Sequence, residues 1–218
     1  MSNTDSFIQE VTEEVRRDKL FGLVRRYGWI AALLVVGIVG GAAWNEWNKA
    51  RRAAEAQAFG DAVLSALESP DSAGRIAALN EIDADGGRQA LVRLMIAAEA
   101  VDTGDTDRAL AALSAIVGDA GLPQRYRQIA ELKRVVLAGP AIPMSEREQV
   151  LSGLAQPGGP LRPLAMEQIA MLRIEAGEPA AALAILRDLL EEPDVTPGLR
   201  RRVSQAIVAL GGDATAAG

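Results

Sequence analysis

The hydrophobic positions of the chain follow two patterns, one continuous and one periodic. Residues 28–44 read "GWIAALLVVGIVGGAAW" and contain no charged or strongly polar side chain. Further along, apolar residues recur every three or four positions in blocks of about 12–18 residues, separated by Gly, Pro and Asp. This is the spacing of amphipathic helices, and no strand-like alternation is present. The pattern predicts an all-α protein with one continuous apolar helix and a series of amphipathic helices.

The continuous apolar stretch predicts a transmembrane helix over residues 27–47. At 1.5 Å per residue, its uncharged part extends about 25 Å, near the lower limit for a bilayer core of about 30 Å. Aromatic side chains, which favour the headgroup layer, bracket the stretch and supply the missing length: Tyr27, Trp29, Trp44 and Trp47.

Two alternatives to a retained anchor are a cleaved signal peptide and a buried helix of a soluble domain. The small residues Gly41-Ala42-Ala43 fit a signal-peptidase site, but 26 residues precede the apolar stretch, which is long for a signal leader. A buried helix has no reason to be bracketed by Trp and then Arg. We therefore expect the helix to be retained in the mature protein.

The positive charges beside the apolar helix predict its orientation. Five Lys and Arg precede it and three follow it: Arg16, Arg17, Lys19, Arg25 and Arg26, then Lys49, Arg51 and Arg52. The bias predicts a single-pass membrane protein whose N-terminal segment, residues 1–26, stays inside. Residues 48–218 would then form a domain on the other side of the membrane.

Two blocks of the sequence repeat each other at an offset of 73 residues. Residues 90–117 read "ALVRLMIAAEAVDTGDTDRALAALSAIV" and residues 163–190 read "PLAMEQIAMLRIEAGEPAAALAILRDLL". Each block predicts two helices joined by a turn, and the offset fits two hairpins of about 34 residues with a small insertion. One hairpin cannot bury both of its faces, so neighbouring hairpins are expected to stack as a solenoid.

The alignment of the two blocks assigns roles to paired positions. Gly104 and Gly177 are predicted to end the first helix of each hairpin in a left-handed conformation. Ala180 is expected to be exposed at the turn end of its helix. Small side chains are predicted where the two helices of a hairpin cross: Ala97, Ala109, Ala170 and Ala182. Apolar stripes of the second helices are predicted to face the core: Leu110, Leu113 and Val117, and Leu183, Leu186 and Leu190.

The remaining segments predict less regular units. A first hairpin would comprise residues 51–68 and 72–82, with four side chains facing inward: Ala56, Phe59, Ala62 and Val63. Another would comprise residues 126–137 and 145–154, interrupted by the insert "AGPAIPMSE". This insert and "QPGGPLRP" are interpreted as spacers, with binding loops as the alternative. The chain is predicted to end in a capping helix and a frayed tail: residues 200–210 and 211–218.

The composition excludes several classes of function. The 218 residues include no His and no Cys, which removes Ser-His-Asp and Cys-His catalysis, the usual zinc sites and disulfides. The net charge of -6 falls on the part after residue 50 and argues against nucleic acid binding. Carboxylates cluster only in turns and are interpreted as solvated charges and helix caps: Asp83/Asp85, Asp102/Asp105/Asp107 and Glu191/Glu192. We predict no catalytic residue, no metal site and no cofactor.

The order of these features resembles the YfgM-like family of tetratricopeptide-repeat proteins, ancillary subunits of the SecYEG translocon. The likeness includes Trp47-Asn48 after the apolar helix, the segment "AQAFGDAVLSAL", the Gly-Asp and Gly-Glu turns, and Asp194-Val-Thr-Pro197 before the last helix. Arg93 and Met166 stand where the repeat consensus has aromatic side chains. The resemblance implies a protein of the bacterial inner membrane, with residues 1–26 in the cytoplasm and a tetratricopeptide-like domain, residues 48–218, in the periplasm. It also implies association with the SecYEG translocon and with a membrane-anchored periplasmic chaperone of the prolyl-isomerase type.

These features together predict a membrane-anchored interaction protein and not an enzyme. The domain is expected to help chaperone or hand over exported proteins, with unfolded exported chains among its ligands. The alternative is a structural scaffold subunit of another inner-membrane or envelope-assembly complex, which would not bind unfolded chains.

Overall fold

The computed structural model describes the backbone of residues 3–213 and the side chains of residues 25–26, 29–30 and 33–213. Helices and turns account for this part of the chain, and it contains no strand. A short 3-10 turn comprises Gly139–Ala141. The α-helices are α1 (Asn3–Leu67), α2 (Ser72–Asn80), α3 (Gly86–Asp102), α4 (Thr106–Val117), α5 (Gln124–Ala138), α6 (Met144–Leu154), α7 (Arg162–Glu175), α8 (Pro179–Glu191) and α9 (Pro197–Ala209).

The chain forms two compact units, the first ending at Gly60 and the second beginning at Asp61. In the first unit, the described side chains of α1 from Trp29 to Trp47 are exposed on every face of the helix. Trp44 and Trp47 contact each other one turn apart, with ring centroids separated by 5.4 Å. A helix whose apolar side chains surround it has no polar side to present to water.

The predicted membrane helix at residues 27–47 is only partly described. Within the side chains that the structure describes, no helix is both long enough and apolar enough to cross a bilayer. Residues 27–28 and 31–32 of the predicted span lie outside those side chains, as do residues 3–24 of the predicted cytoplasmic segment.

The second unit consists of stacked hairpins, as the two repeated blocks predict. α3 packs against α4, α5 against α6 and α7 against α8, with α2 packed on α3 and α9 packed on α8. Buried apolar side chains form separate clusters between successive helices. The predicted capping helix is present as α9, and residues 214–218 of the predicted frayed tail lie outside the described residues.

The paired positions of the two blocks have the predicted conformations and environments. Gly104 and Gly177 have φ values of +75° and +77°, in the left-handed region that ends a helix without strain only for glycine. Ala180 is exposed. The four alanines at the predicted helix crossings are buried: Ala97, Ala109, Ala170 and Ala182.

The second helices are rotated slightly from the predicted orientation. Leu113, Leu186 and Leu190 are buried, but Leu110, Val117 and Leu183 are only half-buried. Ile116 and Leu189 are fully buried in their place. On α4, the face that contacts the first helix of the hairpin includes Ala109 and the residues four and seven positions after it, which are Leu113 and Ile116.

The predicted inward face of the first hairpin is wrong in part. Residues 51–68 do not form a separate helix, because α1 continues without a break from Asn3 to Leu67. Ala56 and Ala62 are exposed, Phe59 and Val63 are half-buried, and Ala66 is buried. Phe59, Val63 and Ala66 are spaced by four and three positions, so they share one face of the helix.

Candidate interaction surface

The carboxylate clusters predicted to be caps or solvated charges have two different environments. Asp105 caps α4, because its side chain accepts a hydrogen bond of 3.1 Å from the backbone N–H of Arg108. Glu192 instead forms an ion pair with Arg162 on α7, at 2.8 Å. Among the described residues, no group of three or more carboxylates is arranged to hold a metal ion.

Several other carboxylates connect helices through arginine forks. The Arg147 guanidinium, which is buried on α6, donates two hydrogen bonds of 2.8 and 2.7 Å to Glu175 on α7. Its Nε–H donates to the carbonyl oxygen of Ile142 at 3.0 Å. The Arg147 hydrogen bonds lower the pKa of Glu175. Planar forks of this kind fix the relative positions of two helices more tightly than a lysine could.

The carboxyl of Glu99 has a similar role at the beginning of the stack. Arg75 on α2 donates to Glu99 on α3 at 2.8 Å, and this hydrogen bond lowers the pKa of Glu99 below its ordinary value of 4.5. A carboxylate held in its ionised form by an arginine is poorly suited to act as a general acid or base near neutral pH. These groups therefore join helices, and their geometry offers no catalytic arrangement.

Exposed apolar side chains recur at the same positions of two first helices, α3 and α7. Leu91 and Val101 on α3 are 40% and 47% exposed, and their equivalents at the 73-residue offset, Leu164 and Ile174 on α7, are 37% and 36% exposed. Between them on α7 lies Met171, which is equally open to solvent. A scattered exposed Leu has no meaning by itself, but recurrence at equivalent repeat positions points to a common use of this face.

The intervening first helix, α5, continues the same surface. Val136 is 51% exposed and directly follows Val135, which packs in one cluster with Leu151 of α6. Met171 likewise follows Ala170, which packs in one cluster with Leu186 of α8. We call this set the first-helix stripe, and it comprises Leu91, Val101, Val136, Leu164, Met171 and Ile174.

The first helices that carry the stripe are neighbours in the stack. Ala130 of α5 shares a buried cluster with Ala97 of α3, and Val135 of α5 shares another with Ala165 of α7. The exposed side chains therefore lie on helices that are joined through shared buried clusters. The sequence does not predict this stripe, because Leu91 and Leu164 look like core residues until the rotation of their helices is known.

The segment Asp194-Val-Thr-Pro197 has a structural explanation. The Thr196 hydroxyl oxygen accepts a hydrogen bond of 3.3 Å from the backbone N–H of Leu199, and Pro197 occupies the first position of α9. Val195 is buried in the cluster between α8 and α9. This is a capped helix start with a hydrophobic contact before it, so the segment positions the last helix.

Stacked helix hairpins with glycine-ended first helices and small residues at the helix crossings define a helical-repeat protein. Residues 25–159 match the model of the tetratricopeptide repeat-like domain, more than half of the chain, and the chain therefore belongs to that family. No curated protein and no solved structure was found to match the chain. The family match leaves the closer resemblance to the YfgM-like family as a prediction.

Proposed function

We propose that this chain is a membrane-anchored protein that binds other proteins through the first-helix stripe. The observation that carries the proposal is the recurrence of exposed apolar side chains at equivalent positions of α3 and α7, continued by Val136 on α5. Helical-repeat proteins use such extended surfaces for binding. The stripe suits an apolar segment of a polypeptide, because its side chains offer no polar group that would select a small polar ligand.

The proposal includes the anchor over residues 27–47, with the N-terminus cytoplasmic and residues 48–218 in the periplasm. Its support is the all-round exposure of apolar side chains on α1 together with the aromatic and arginine flanks. By resemblance to the YfgM-like family, the partners are the SecYEG translocon and a membrane-anchored periplasmic chaperone. Exported proteins that have not yet folded are the proposed clients.

The anchor and its orientation can be tested with single cysteines, because the natural sequence has none. In spheroplasts, an impermeant thiol reagent should label a cysteine that replaces Gly211 and should not label one that replaces Ser6. The mature protein should retain residues 3–26 ahead of the apolar helix. The reverse labelling pattern, or an N-terminus near Ala43, would overturn the proposed compartment.

The stripe can be tested with the triple variant Leu164→Ser, Met171→Ser and Ile174→Ser. Because nearly two thirds of each side chain is covered, each change should reduce the free energy of unfolding by about 1 kcal/mol, so binding is measured well below the melting temperature of the variant. Crosslinking in membranes followed by mass spectrometry should show that the variant loses partners. Val208→Ser, which removes a 61% exposed apolar side chain from α9, is the matched control and should keep them.

The same variant distinguishes client binding from scaffolding. A client-binding domain should suppress the aggregation of an unfolded protein, and the triple variant should lose that activity. A scaffold should give one stable partner in the crosslinking experiment and no suppression of aggregation. That second result would replace the client-binding proposal with a structural subunit.

A further inference from the structure

A second surface is a groove of about 660 Å³ between α5 and α6, and it contains an arginine with one buried N–H group that has no acceptor among the described residues. Arg127 lies on α5 and lines this groove, and its Nε–H is buried with no hydrogen-bond acceptor. Its side chain makes no hydrogen bond or ion pair with another residue that the structure describes. A guanidinium is always charged and is a donor only, so burying one of its N–H groups without an acceptor is unfavourable. The missing acceptor is the observation to be explained.

Arg134, two turns further along α5, has a similar environment. Its Nε–H is also buried without an acceptor, and its side chain is 23% exposed. Its ion pair with Glu146 of α6 is long, at 3.9 Å, in contrast to the 2.7–2.8 Å forks of Arg147. Two guanidinium groups on one face of a helix are thus less well paired than the arginines that join helices elsewhere in the unit.

The other side chains of the groove limit what could supply the acceptor. Gln124, Gln128 and Gln149 present amide groups, which donate and accept like the backbone of an extended peptide. Glu131 and Glu146 also line the groove and would repel a ligand that carries several negative charges. The unit as a whole is acidic, which disfavours nucleic acid and other polyanions. A single carboxylate attached to a peptide satisfies both constraints.

We propose that the groove between α5 and α6 binds an extended segment of a partner protein and that Arg127 holds one acidic side chain of that segment. The volume fits a few residues, within the usual range of ligand pockets. Apolar side chains at its edges, Val117, Val150 and Leu154, would contact residues beside the acidic one. This proposal rests on the proposed function as a protein-binding module and adds a site that is separate from the first-helix stripe.

The test uses the full-length chain in detergent micelles and three seven-residue peptides. The first has blocked ends and a central Glu flanked by Leu, the second replaces that Glu with Gln, and the third has the central Gln and a free C-terminus. In a fluorescence anisotropy titration, the Glu peptide should bind about tenfold more tightly than its Gln twin, as one charge-assisted hydrogen-bonded pair provides. Equal affinities, no binding, or preference for the free C-terminus would overturn the proposal.

Variants of α5 assign the effect to Arg127. Arg127→Gln should remove the advantage of the Glu peptide. Arg125→Gln is the matched control, because Arg125 is an exposed arginine of the same helix whose guanidinium lies 5.0 Å from the ring centroid of Tyr126. This control should keep the advantage. Loss of the advantage in both variants would mean that only the overall charge of the helix matters, and the proposal would fall.

Thermal stability separates a binding role of Arg127 from a structural one. Arg127→Met should melt at the same temperature as the natural chain or above it, since it removes a buried donor without an acceptor. A lower melting temperature would show that Arg127 stabilises the fold, against the proposal. The triple Ser variant of the first-helix stripe should bind the Glu peptide normally. Failure of the peptide experiment therefore leaves the stripe proposal standing, and failure of the stripe experiment leaves this one standing.

Discussion

The α3–α4 and α7–α8 hairpins have the same internal packing, but at two pairs of equivalent positions an ion pair in one hairpin is replaced by an apolar contact in the other. Glu99 of the first hairpin forms an ion pair with Arg75 of α2, whereas its equivalent, Leu172, packs in the apolar cluster shared with α5 and α6. Leu94 packs in the cluster shared with α5, whereas its equivalent, Glu167, forms an ion pair with Arg202 of α9.

The two exchanges occur at opposite ends of the stack. At these positions, the side chains that face the single flanking helices, α2 and α9, form ion pairs. The side chains that face the middle hairpin, α5–α6, make apolar contacts. The arginine of each pair keeps access to water, with 23% of the Arg75 side chain and 54% of the Arg202 side chain exposed, so a charged pair there costs less than in a closed apolar cluster. The repeated fold thus constrains the helix crossing strictly and leaves these lateral positions free to adapt to the neighbour.

The largest expected effect tests whether the two crossings are equivalent. Ala109→Leu and Ala182→Leu place three extra carbon atoms at fully buried positions, and each should reduce the free energy of unfolding by about 1–3 kcal/mol. In a domain of this size, that is a fall in melting temperature of roughly 2–12 °C. Ala180→Leu, on the exposed end of α8, is the control and should change the free energy of unfolding by less than about 0.5 kcal/mol. Similar melting of Ala109→Leu and Ala180→Leu would show that the two blocks are wrongly aligned.

A second test concerns the Glu167–Arg202 pair, in which the two partners differ in exposure. The Glu167 side chain is 10% exposed and that of Arg202 is 54% exposed. Arg202→Leu leaves a buried carboxylate without its fork and should cost about 1–2 kcal/mol in urea unfolding. Glu167→Leu recreates the residue found at Leu94 and leaves an arginine that can turn to water, so its cost should be below about 1 kcal/mol. Equal costs would contradict the explanation by unequal exposure.

A third test compares the two turns. Gly104→Ala and Gly177→Ala force a side chain into the left-handed region, and each should cost about 1 kcal/mol, although a Cβ at either position meets nothing within 4 Å. Gly198→Ala is the control, because this glycine lies in the first turn of α9 with no positive φ and an equally open Cβ position. It should raise the free energy of unfolding by about 0.5 kcal/mol. A cost confined to one turn would mean that the two hairpins end their first helices differently.

The smallest effect is a pH dependence at one position where the two hairpins differ, which is Glu99 in the first and Leu172 in the second. The pKa of Glu99 is lower in the folded protein than its ordinary value of 4.5, chiefly because Arg75 donates a hydrogen bond to it. Its contribution to stability is therefore complete above about pH 5 and is lost as the pH falls through the folded-state pKa. Glu99→Gln should reduce the loss of stability measured by urea unfolding between pH 6 and pH 3. Glu68→Gln is the control, because it removes the same charge from an exposed side chain. If Glu99→Gln left the pH dependence of the free energy of unfolding unchanged, the Arg75–Glu99 pair would not explain a difference between the two hairpins.

The hairpins are predictable from the sequence because their signals are local. Glycines at helix ends and alanines at crossings repeat with the 73-residue offset, so the repeat alone assigns Gly104, Gly177, Ala109 and Ala182 to their roles. The rotation of each helix is less predictable, since it depends on which neighbour the helix meets. Ile116 and Leu189 therefore replace the expected Leu110 and Leu183 in the core.

The interaction surface is harder to predict than the fold. Leu91 and Leu164 satisfy the same apolar pattern as core residues, and only the packing of Val92 and Ala165 beside them shows which way each helix faces. Arg127 carries no sequence signal at all, because its interest lies in the acceptor that it lacks. Partners distant in sequence, such as Arg147 and Glu175, likewise become visible only once α6 and α7 are placed together.

The order in which the helices pack has a kinetic consequence. In the second unit, the main contacts join each helix to the next one along the chain, and only α3 and α5 make a comparable contact across an intervening helix. Chains dominated by short-range contacts close small loops and fold in microseconds to milliseconds. Each hairpin can therefore form as soon as its second helix has emerged from a ribosome or a membrane channel, without waiting for the C-terminus. Pulse-labelled hydrogen exchange on progressively longer nascent chains should show amides of α3 and α4 protected before α9 has been synthesised.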